Sequence, residues 1–452
     1  MARSNVTIIG AGLCGSLLSI ILARRGIKVT VLERQVDPRT VHAAAGRSIN
    51  LVLSARGNRA LKYAGIFEHI EPLLVPMKGR LIHHEDGTTE LQSYGQRESE
   101  QIYSVSRAEL NRMLIETAEK EYNVRVRFQQ EAVSYYPDEA VLRIRDHEKS
   151  TDYDVRAIPV IGADGAGSVI RRAFTDAGKI SPGETLLEHC YKELSIPGKA
   201  NGSFQLEHDV LHIWPRGGFM LIALPNPGGD FTLTLFLPSS GPNSFVELDT
   251  DDKVSEFFAR NFADVVPLID NLIGSYGDNP VGILGTVRCR HWHDSDKLLL
   301  IGDAAHAVVP FHGQGMNLAF EDCVVLDQVL ENPDADWTTV FEVYEAEQIA
   351  NANAIADMAL ENYVEMRDTV RNPKHMLRKQ LSFELERRLP NRFIPRYSMV
   401  MFHDEIPYAV AQERGAVQQK LLEELTENVD TIEQIDLDSA AAEVEKRLPP
   451  LH

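Results

Sequence analysis

The sequence predicts an α/β fold with a β-rich insertion and a helical C-terminal region. Three observations lead to this prediction. A glycine-rich turn joins an apolar strand to a helix close to the start of the chain. Alternating apolar and polar residues in GSFQLEHDVLHIW and FTLTLFL predict strands, and PNPGGD between these two segments predicts a turn. From about residue 331 the pattern becomes helical and charged.

The first element is a βαβ unit. Residues 6–9 predict a buried strand, residues 13–25 a helix that stops at Gly26, and residues 28–32 a second strand. Gly10, Gly12 and Gly15 form the pattern GxGxxG between strand and helix. In such units the glycines permit a tight turn, a close approach of the backbone to a pyrophosphate, and close packing of helix on strand. The unit therefore predicts a Rossmann-like dinucleotide site.

Glu33 narrows the choice of dinucleotide. It ends the second strand 18 residues after Gly15, where a carboxylate accepts hydrogen bonds from ribose hydroxyls. Such a residue favours an unphosphorylated ribose, which disfavours NADPH and leaves NAD and FAD open. Leu13 and Arg34, which adjoin the turn and Glu33, are assigned to the same site.

Composition excludes several classes of function. The formal net charge of −20 argues against a nucleic-acid partner, because phosphate binding needs a basic surface. The four cysteines are scattered without a CxxC pair, which fits a reducing cytoplasm and gives no metal signal. No signal peptide fits the N-terminus, and no apolar stretch approaches the roughly 20 residues of a membrane span. We therefore expect a cytoplasmic protein.

Two further motifs follow along the chain. VIGADGAGSVIRRAF, residues 160–174, predicts a strand, an Asp-Gly turn and a helix. KLLLIGDAAHAVVPFHGQGMNLAFEDCVVLDQVL, residues 297–330, predicts a strand, a Gly-Asp turn, a loop rich in glycine and a long amphipathic helix. Either motif alone is compatible with an ordinary α/β domain. Their order and spacing after the first βαβ unit are far more specific.

Together the three motifs resemble the fingerprints of the flavoprotein aromatic hydroxylases, the family built like para-hydroxybenzoate hydroxylase. The resemblance spans residues 8–320 and implies a Rossmann-like domain that binds one FAD, which resolves the choice left open by Glu33. It also implies that NADPH is a transient co-substrate without a Rossmann domain of its own, and that O₂ reacts through a flavin C4a-hydroperoxide. The flavin would do the chemistry, and no catalytic side chain is identifiable.

The resemblance also assigns FAD contacts. Asp303 would accept hydrogen bonds from ribityl hydroxyls. Arg107, in SVSRAELNRML, matches an arginine that contacts FAD, although a solvated arginine at a helix start is the alternative. Asp164 would position flavin and nicotinamide, or would serve only the turn. The residues that open the last helix would direct N–H groups at the flavin pyrimidine; they are Gly313, Gly315, Met316 and Asn317.

Additional segments are similar to the members of this family that hydroxylate kynurenine. They are GRSINLVLSARGNRAL, MKGRLIHHEDG, LQSYGQ, HIWPRG, PFHGQGMN, ALENYVEM and FIPRYSMVMF, and they run nearly end to end. The implied reaction converts L-kynurenine to 3-hydroxykynurenine. Another amino- or hydroxy-aromatic acid as substrate, and an FAD-binding protein without turnover, are the alternatives. The Gly302-Asp303 motif weakens a third, an NAD-dependent dehydrogenase.

The resemblance implies a substrate pocket with two ends. Arg80, Tyr94 and Tyr397 match a set that binds the substrate carboxylate, a task for which a bidentate arginine with tyrosine hydroxyls is chemically suited. Asn362 matches an amide that reaches the amino or keto group, and Met366 shares its helix face. The ring end would be lined by Leu224, Phe236, Phe311 and His312.

The predicted FAD domain is discontinuous. It comprises residues 1–72, 103–178 and 286–330. A substrate-binding β-sheet domain comprises residues 73–102 and 179–285. Residues 331–452 form a helical region that caps the active site and ends in acidic helices, where eukaryotic members of the family carry a membrane anchor. We expect no anchor here, and these helices would pack on the body of the protein or on a second copy in a homodimer.

Overall fold

The computed structural model of the chain describes residues 5–40, 50–367 and 373–451. Its strands are β1 (Asn5–Ile9), β2 (Lys28–Leu32), β3 (Asn50–Leu53), β4 (Val75–Met77), β5 (Gly79–His83), β6 (Thr89–Ser93), β7 (Ile102–Ser106), β8 (Arg125–Arg127), β9 (Gln130–Tyr136), β10 (Val141–Asp146), β11 (Thr151–Arg156), β12 (Val160–Gly162), β13 (Gly183–Ile196), β14 (Leu211–Pro215), β15 (Met220–Pro225), β16 (Phe231–Pro238), β17 (Gly282–Arg288), β18 (His293–Asp294) and β19 (Leu298–Leu300). The motif segment that begins at residue 46 has its first four residues outside the described part.

The helices alternate with these strands and then dominate the C-terminal third. They are α1 (Leu13–Arg24), α2 (Ala55–Tyr63), α3 (Phe67–Ile70), α4 (Arg107–Tyr122), α5 (Val169–Asp176), α6 (Asp251–Asn261), α7 (Leu272–Asp278), α8 (Asp303–His306), α9 (Gly315–Val329), α10 (Trp337–Arg367), α11 (Pro373–Arg388), α12 (Arg396–Phe402), α13 (Tyr408–Thr426) and α14 (Leu437–Arg447). The predicted α/β fold class is confirmed.

The first sheet carries the predicted βαβ unit. Six strands lie in the order β18-β19-β12-β1-β2-β8, and all neighbours are parallel except β18 and β19. The elements β1, α1 and β2 match the predicted strand, helix and strand. The strands that begin the Asp-Gly and Gly-Asp motifs, β12 and β19, pair beside β1. All three glycine-bearing turns therefore lie at the same edge of this sheet, where parallel α/β sheets bind ligands.

The second sheet separates two cores. Its seven strands lie in the order β17-β13-β16-β15-β14-β5-β6. Side chains alternate between its faces, so Leu211 in β14 lines the cavity described below while Trp214 packs on the other face. That other face forms a core with α6, which contributes Phe257 and Phe258. Two three-stranded sheets, β11-β10-β9 and β3-β7-β4, complete the strand pairing of the described residues.

One strand prediction is partly wrong. The alternation in GSFQLEHDVLHIW predicts extended structure over residues 202–214, but only β14 at its end is a strand. The first residues form turns, in which the Asn201 side chain accepts from Ser203 and Gly202 has φ +77°. Phe204 and Leu206 pack from this loop onto the far core. The alternation reflects their burial, which a loop achieves without pairing.

The helix α9 is buried more completely than the prediction of an amphipathic helix allows. Polar as well as apolar side chains along it are enclosed. The carboxylate of Glu321 pairs with Arg56 at 2.8 Å, and that of Asp322 accepts from His306 at 2.7 Å. The sequence shows charges on one face, but these charges meet buried partners rather than solvent.

The C-terminal helices pack onto the body of the same chain. α13 lies against α10 and α11, and a small core around Leu381, Leu421 and Val444 joins α11, α13 and α14. In the described part of the chain, no helix combines the length and the apolar character needed to cross a membrane. The division of the chain into three predicted domains stays a prediction.

Candidate active site

One cavity of about 830 Å³ connects the two sheets. At one end it is lined by the glycine-rich turn after β1, and at the other by Arg80, Tyr94 and Tyr397. Its size lies within the range that small-molecule and cofactor sites occupy. Apart from Gly15, Asn317 and Asn362, the predicted cofactor and substrate residues therefore face a common space.

The three glycines of the first turn have different physical roles. Gly10 has φ +100°, and a Cβ there would lie 2.5 Å from the carbonyl oxygen of Ala163. A Cβ at Gly15 would lie 2.0 Å from the carbonyl oxygen of Gly10, so this glycine permits the helix to pack on the turn. A Cβ at Gly12 would meet no protein atom within 4 Å and would project into the cavity region. Gly12 thus leaves open a space that a bound group can fill.

Glu33 is fixed beside this turn. Its Oε2 accepts from the Ala11 N–H at 2.7 Å, and its Oε1 accepts from the Gln35 N–H at 2.8 Å. Leu13, Glu33 and Arg34 all line the cavity. A carboxylate oxygen has more than one lone pair, so Glu33 retains acceptor capacity for ribose hydroxyls.

Asp164 has a clear structural task. It lines the cavity, but its carboxylate accepts from the Ser168 hydroxyl at 2.6 Å and from the Val169 N–H at 2.7 Å. These bonds cap α5, which favours the turn role over direct positioning of the cofactor. Arg107 begins α4 and is solvent-exposed, yet it lines the cavity, so the structure is compatible with the predicted contact.

The Gly-Asp motif and the loop that follows it form one wall of the cavity. Asp303 stands three residues after β19 at the start of α8, rather than at the strand end itself, and it lines the cavity. Gly313, Gly315 and Met316 line it as well. Gly313 has φ +68°, and a Cβ there would lie 2.9 Å from Val52.

Asn317 differs from its neighbours. Its side chain is fully buried and is absent from the cavity lining. The Oδ1 accepts from the Ser54 N–H, and the Nδ2 donates to the carbonyls of Val52 and Gly313. The side chain therefore ties the loop to the end of β3, and the predicted contact of the flavin with the N–H groups at this helix start stays a prediction.

Arg80, Tyr94 and Tyr397 form the predicted cluster. The Arg80 guanidinium carbon lies 5.0 Å from the ring centre of Tyr397 and 5.8 Å from that of Tyr94, and the two rings stack at 5.5 Å. Arg80 and Tyr94 are only 7% and 4% exposed. Nε of Arg80 and the hydroxyl of Tyr94 make no hydrogen bond within the described residues. Buried donors normally have partners, so these two indicate that a ligand completes the site.

The ring end of the cavity is apolar. The ring centres of Phe236 and Phe311 lie 5.1 Å apart, and Leu224 lines the cavity beside them. The His312 ring stacks on that of Tyr397, with 5.5 Å between the ring centres. Burial lowers the pKa of His312 to about 4. The imidazole is therefore neutral at neutral pH and adds no second positive charge beside Arg80.

Asn362 lies directly behind the loop that lines the cavity. It is buried but absent from the cavity lining, and its Nδ2 donates to the Phe311 carbonyl at 2.6 Å. The amide holds the cavity loop in place, and its contact with the amino or keto group of the substrate stays a prediction. Met366, one turn later in α10, does line the cavity.

Several residues near the site were not predicted. Tyr191, Met220, Thr234 and Met401 line the cavity. The spacing of these residues in the sequence does not predict them. Three of them lie in strands, and which face of the sheet their side chains occupy is determined only by how the strands pair. Glu365 lies 3.7 Å from Arg80. The sequence could have indicated Glu365, because it lies in ALENYVEM on the same helical turn as the predicted site residues Asn362 and Met366.

Glu193 gives a pH-dependent prediction. It lies in β13 with a buried Oε2 that makes no hydrogen bond within the described residues, and burial raises its pKa from 4.5 to about 7. A raised folded-state pKa means that stability falls as pH rises from about 4.5 to 7. The free energy of unfolding of Glu193→Gln, relative to that of the wild type, should therefore be about 1–2 kcal/mol higher at pH 8 than at pH 5. This figure is discounted for partial solvent exposure of the side chain.

Chemical denaturation of FAD-saturated protein at both pH values measures this difference. Glu188→Gln, at an exposed position of the same strand, is the control and should show no such gain. Parallel stability curves for the wild type and Glu193→Gln would contradict the assignment of a raised pKa.

Comparison with known proteins agrees with the geometry of the cofactor end. A family model described as an FAD binding domain matches residues 3–185 and 284–359. These segments contain all three glycine-bearing motifs. The protein is therefore an FAD-binding protein, as predicted.

Full-length relatives identify the family. The chain is 45% identical over 450 residues to the kynurenine 3-monooxygenase of Stenotrophomonas maltophilia (strain K279a), a match that covers 100% of this chain and 98% of the relative. The chain belongs to the kynurenine 3-monooxygenase family. A member from Myxococcus xanthus (strain DK1622) is 44% identical over 448 residues, covering 99% and 96% of the two chains. The family resemblance inferred from the motifs is confirmed.

Solved structures support the fold. The tetrameric form of 2-methyl-3-hydroxypyridine-5-carboxylic acid oxygenase superposes with a TM-score of 0.67, covering 82% of this chain and 95% of that one. At 18% identity, this similarity supports the shared architecture and nothing about the substrate. The kynurenine 3-monooxygenase family and its FAD-dependent chemistry rest on the full-length relatives and the family model.

Proposed function

We propose that the protein hydroxylates L-kynurenine to 3-hydroxykynurenine with NADPH and O₂, using FAD held in the cavity. One observation carries the proposal. A single cavity joins an open glycine cradle at Gly12 to a buried arginine at Arg80 whose Nε makes no hydrogen bond among the described residues. The name of the full-length relatives supplies the substrate.

The residues of the cofactor end fit FAD. The space at Gly12 admits a pyrophosphate next to the N-terminus of α1, where free N–H groups and the helix dipole favour anions. Glu33 would accept hydrogen bonds from the ribose hydroxyls, and Asp303 from the polyol hydroxyls. When bound, FAD accepts hydride from NADPH and activates O₂ for transfer to the ring.

The residues at the substrate end of the cavity would bind and orient the substrate. Arg80, with the hydroxyls of Tyr94 and Tyr397, would hold the carboxylate by charge-assisted hydrogen bonds. Phe236 and Phe311 would hold the aromatic ring and exclude water, which strengthens electrostatic interactions inside the cavity. The free N–H groups at the start of α9, at Gly315, would stabilise negative charge on the flavin ring of bound FAD.

The test is a comparison of substrates. FAD-loaded protein is incubated with NADPH and air together with L-kynurenine, anthranilate or salicylate. We expect fast NADPH oxidation and a product 16 mass units heavier with kynurenine alone. Hydroxylation of anthranilate or salicylate instead would favour a hydroxylase for another aromatic acid. A yellow protein that oxidises NADPH with none of them would favour a binding-only role.

We also propose that the protein works in the cytoplasm. All four cysteines are free thiols, which supports a reducing compartment. A homodimer likewise stays a prediction, and light scattering of the FAD-loaded protein measures it.

A further inference from the structure

Glu365 lies beside the proposed carboxylate site. It is in the last turn of α10, between the cavity-lining Met366 and the loop-holding Asn362. Its Oε1 is 3.7 Å from Nη1 of Arg80 and 3.9 Å from Nε2 of His375. Tyr397 packs against Arg80, with its ring centre 5.0 Å from the guanidinium carbon. Burial and the charge of Arg80 lower the pKa of Lys379 to about 8, while the charge of Glu365 acts in the opposite direction.

The carboxylate of Glu365 is not committed to these neighbours. Both distances exceed hydrogen-bond length, so the contacts are loose ion pairs. About a third of its side chain is exposed, which leaves room for another donor. Glu365 is not itself part of the cavity lining, but its ion-pair partner Arg80 and its sequence neighbour Met366 both line the cavity, so its carboxylate lies next to the carboxylate-binding end.

An amino acid presents two opposite charges on one carbon atom. A carboxylate held by Arg80 would bring its α-ammonium close to the same guanidinium and to Lys379. Without an anion nearby, that ammonium would be repelled by both cations. Glu365 is the carboxylate that the structure places beside Arg80, and it can accept hydrogen bonds from an ammonium.

We propose that Glu365 binds the α-ammonium of the substrate while Arg80 binds its α-carboxylate. This assignment rests on the proposed function of the site and names its selectivity, which is for an α-amino acid over an aromatic acid with a carboxylate alone. The loose Arg80–Glu365 pair then opens to admit the two charged groups of the zwitterion. In the free protein the same pair keeps the buried guanidinium partly compensated.

The test compares two ligands that differ only in the amino group. They are L-kynurenine and its desamino analogue, 4-(2-aminophenyl)-4-oxobutanoic acid. Titration of the flavin absorbance of FAD-loaded protein gives Kd for each ligand. We expect Glu365→Gln to raise the Kd for kynurenine by about 10- to 100-fold, because one charged hydrogen-bonded contact is lost. The analogue should bind equally well or more tightly, because Arg80 loses a competing anion.

Glu347→Gln is the matched control, since Glu347 is an exposed residue of the same helix, and it should change neither Kd. Equal weakening of both ligands by Glu365→Gln would show that Glu365 merely positions Arg80 and would overturn the inference. So would a wild-type protein that binds kynurenine no better than the analogue. If the predicted binding pattern holds but kynurenine is not hydroxylated, the proposed reaction fails while the assignment of Glu365 stands.

Discussion

Replacing Arg80 by Met is expected to raise the KM for L-kynurenine by at least about 30-fold, which corresponds to about 2–5 kcal/mol for a charged pair that loses one buried partner. The side chain is buried at the end of the cavity, and methionine preserves much of its apolar volume without the guanidinium. The substrate carboxylate would then enter an apolar space with only tyrosine hydroxyls to bind it. Steady-state kinetics with NADPH and kynurenine measure the change.

A milder variant separates charge from packing at this site. Tyr94→Phe removes one buried hydroxyl that makes no hydrogen bond among the described residues. It should raise KM far less, by roughly 5-fold, which corresponds to about 1 kcal/mol. FAD content should stay the same in both variants, because Arg80 and Tyr94 lie at the end of the cavity opposite the glycine turn. Unchanged kinetics in Arg80→Met would remove Arg80 from the substrate site.

Replacing Gly12 by Val is expected to give a folded protein that has lost FAD, with affinity reduced on the order of 100-fold or more. A Cβ at this position would meet no protein atom within 4 Å, so we expect the fold to accommodate the substitution. Its backbone φ of −69° is also open to other residues. The new methyl groups would occupy the space through which the backbone approaches a pyrophosphate.

The flavin absorbance of purified protein measures this loss, and circular dichroism reports whether the variant is folded. Gly277→Ala is the control, because a Cβ at this exposed helical position also meets no atom within 4 Å and lies outside the cavity lining. It should retain FAD. Full flavin occupancy in Gly12→Val would contradict the assignment of the turn.

The first βαβ unit could be predicted closely because local chemistry determines it. Gly10 needs a positive φ, and Gly15 must lack a Cβ, so their spacing records the backbone geometry directly. The strand FTLTLFL was equally predictable and lies within β16. The grouping of Arg80 with Tyr94 and Tyr397 depended on family resemblance, since these residues come from distant parts of the chain.

The direction of individual polar side chains could not be predicted. Asn317 and Asn362 belong to motifs that accompany the site, yet both amides bond to the backbone of cavity loops. Whether an amide faces a ligand or the loop behind it depends on tertiary packing, which spacing does not encode. The burial of α9 was missed for a related reason, because the partners of Glu321 and Asp322 lie elsewhere in the chain.

The central claim is that one cavity holds FAD at Gly12 and the acidic end of the substrate at Arg80. A crystal structure of the protein with FAD and L-kynurenine tests it most directly. The expected electron density places the pyrophosphate against the first glycine turn and the kynurenine carboxylate within hydrogen-bonding distance of the Arg80 guanidinium. Kynurenine bound outside this cavity, or FAD bound away from the turn, would contradict the account.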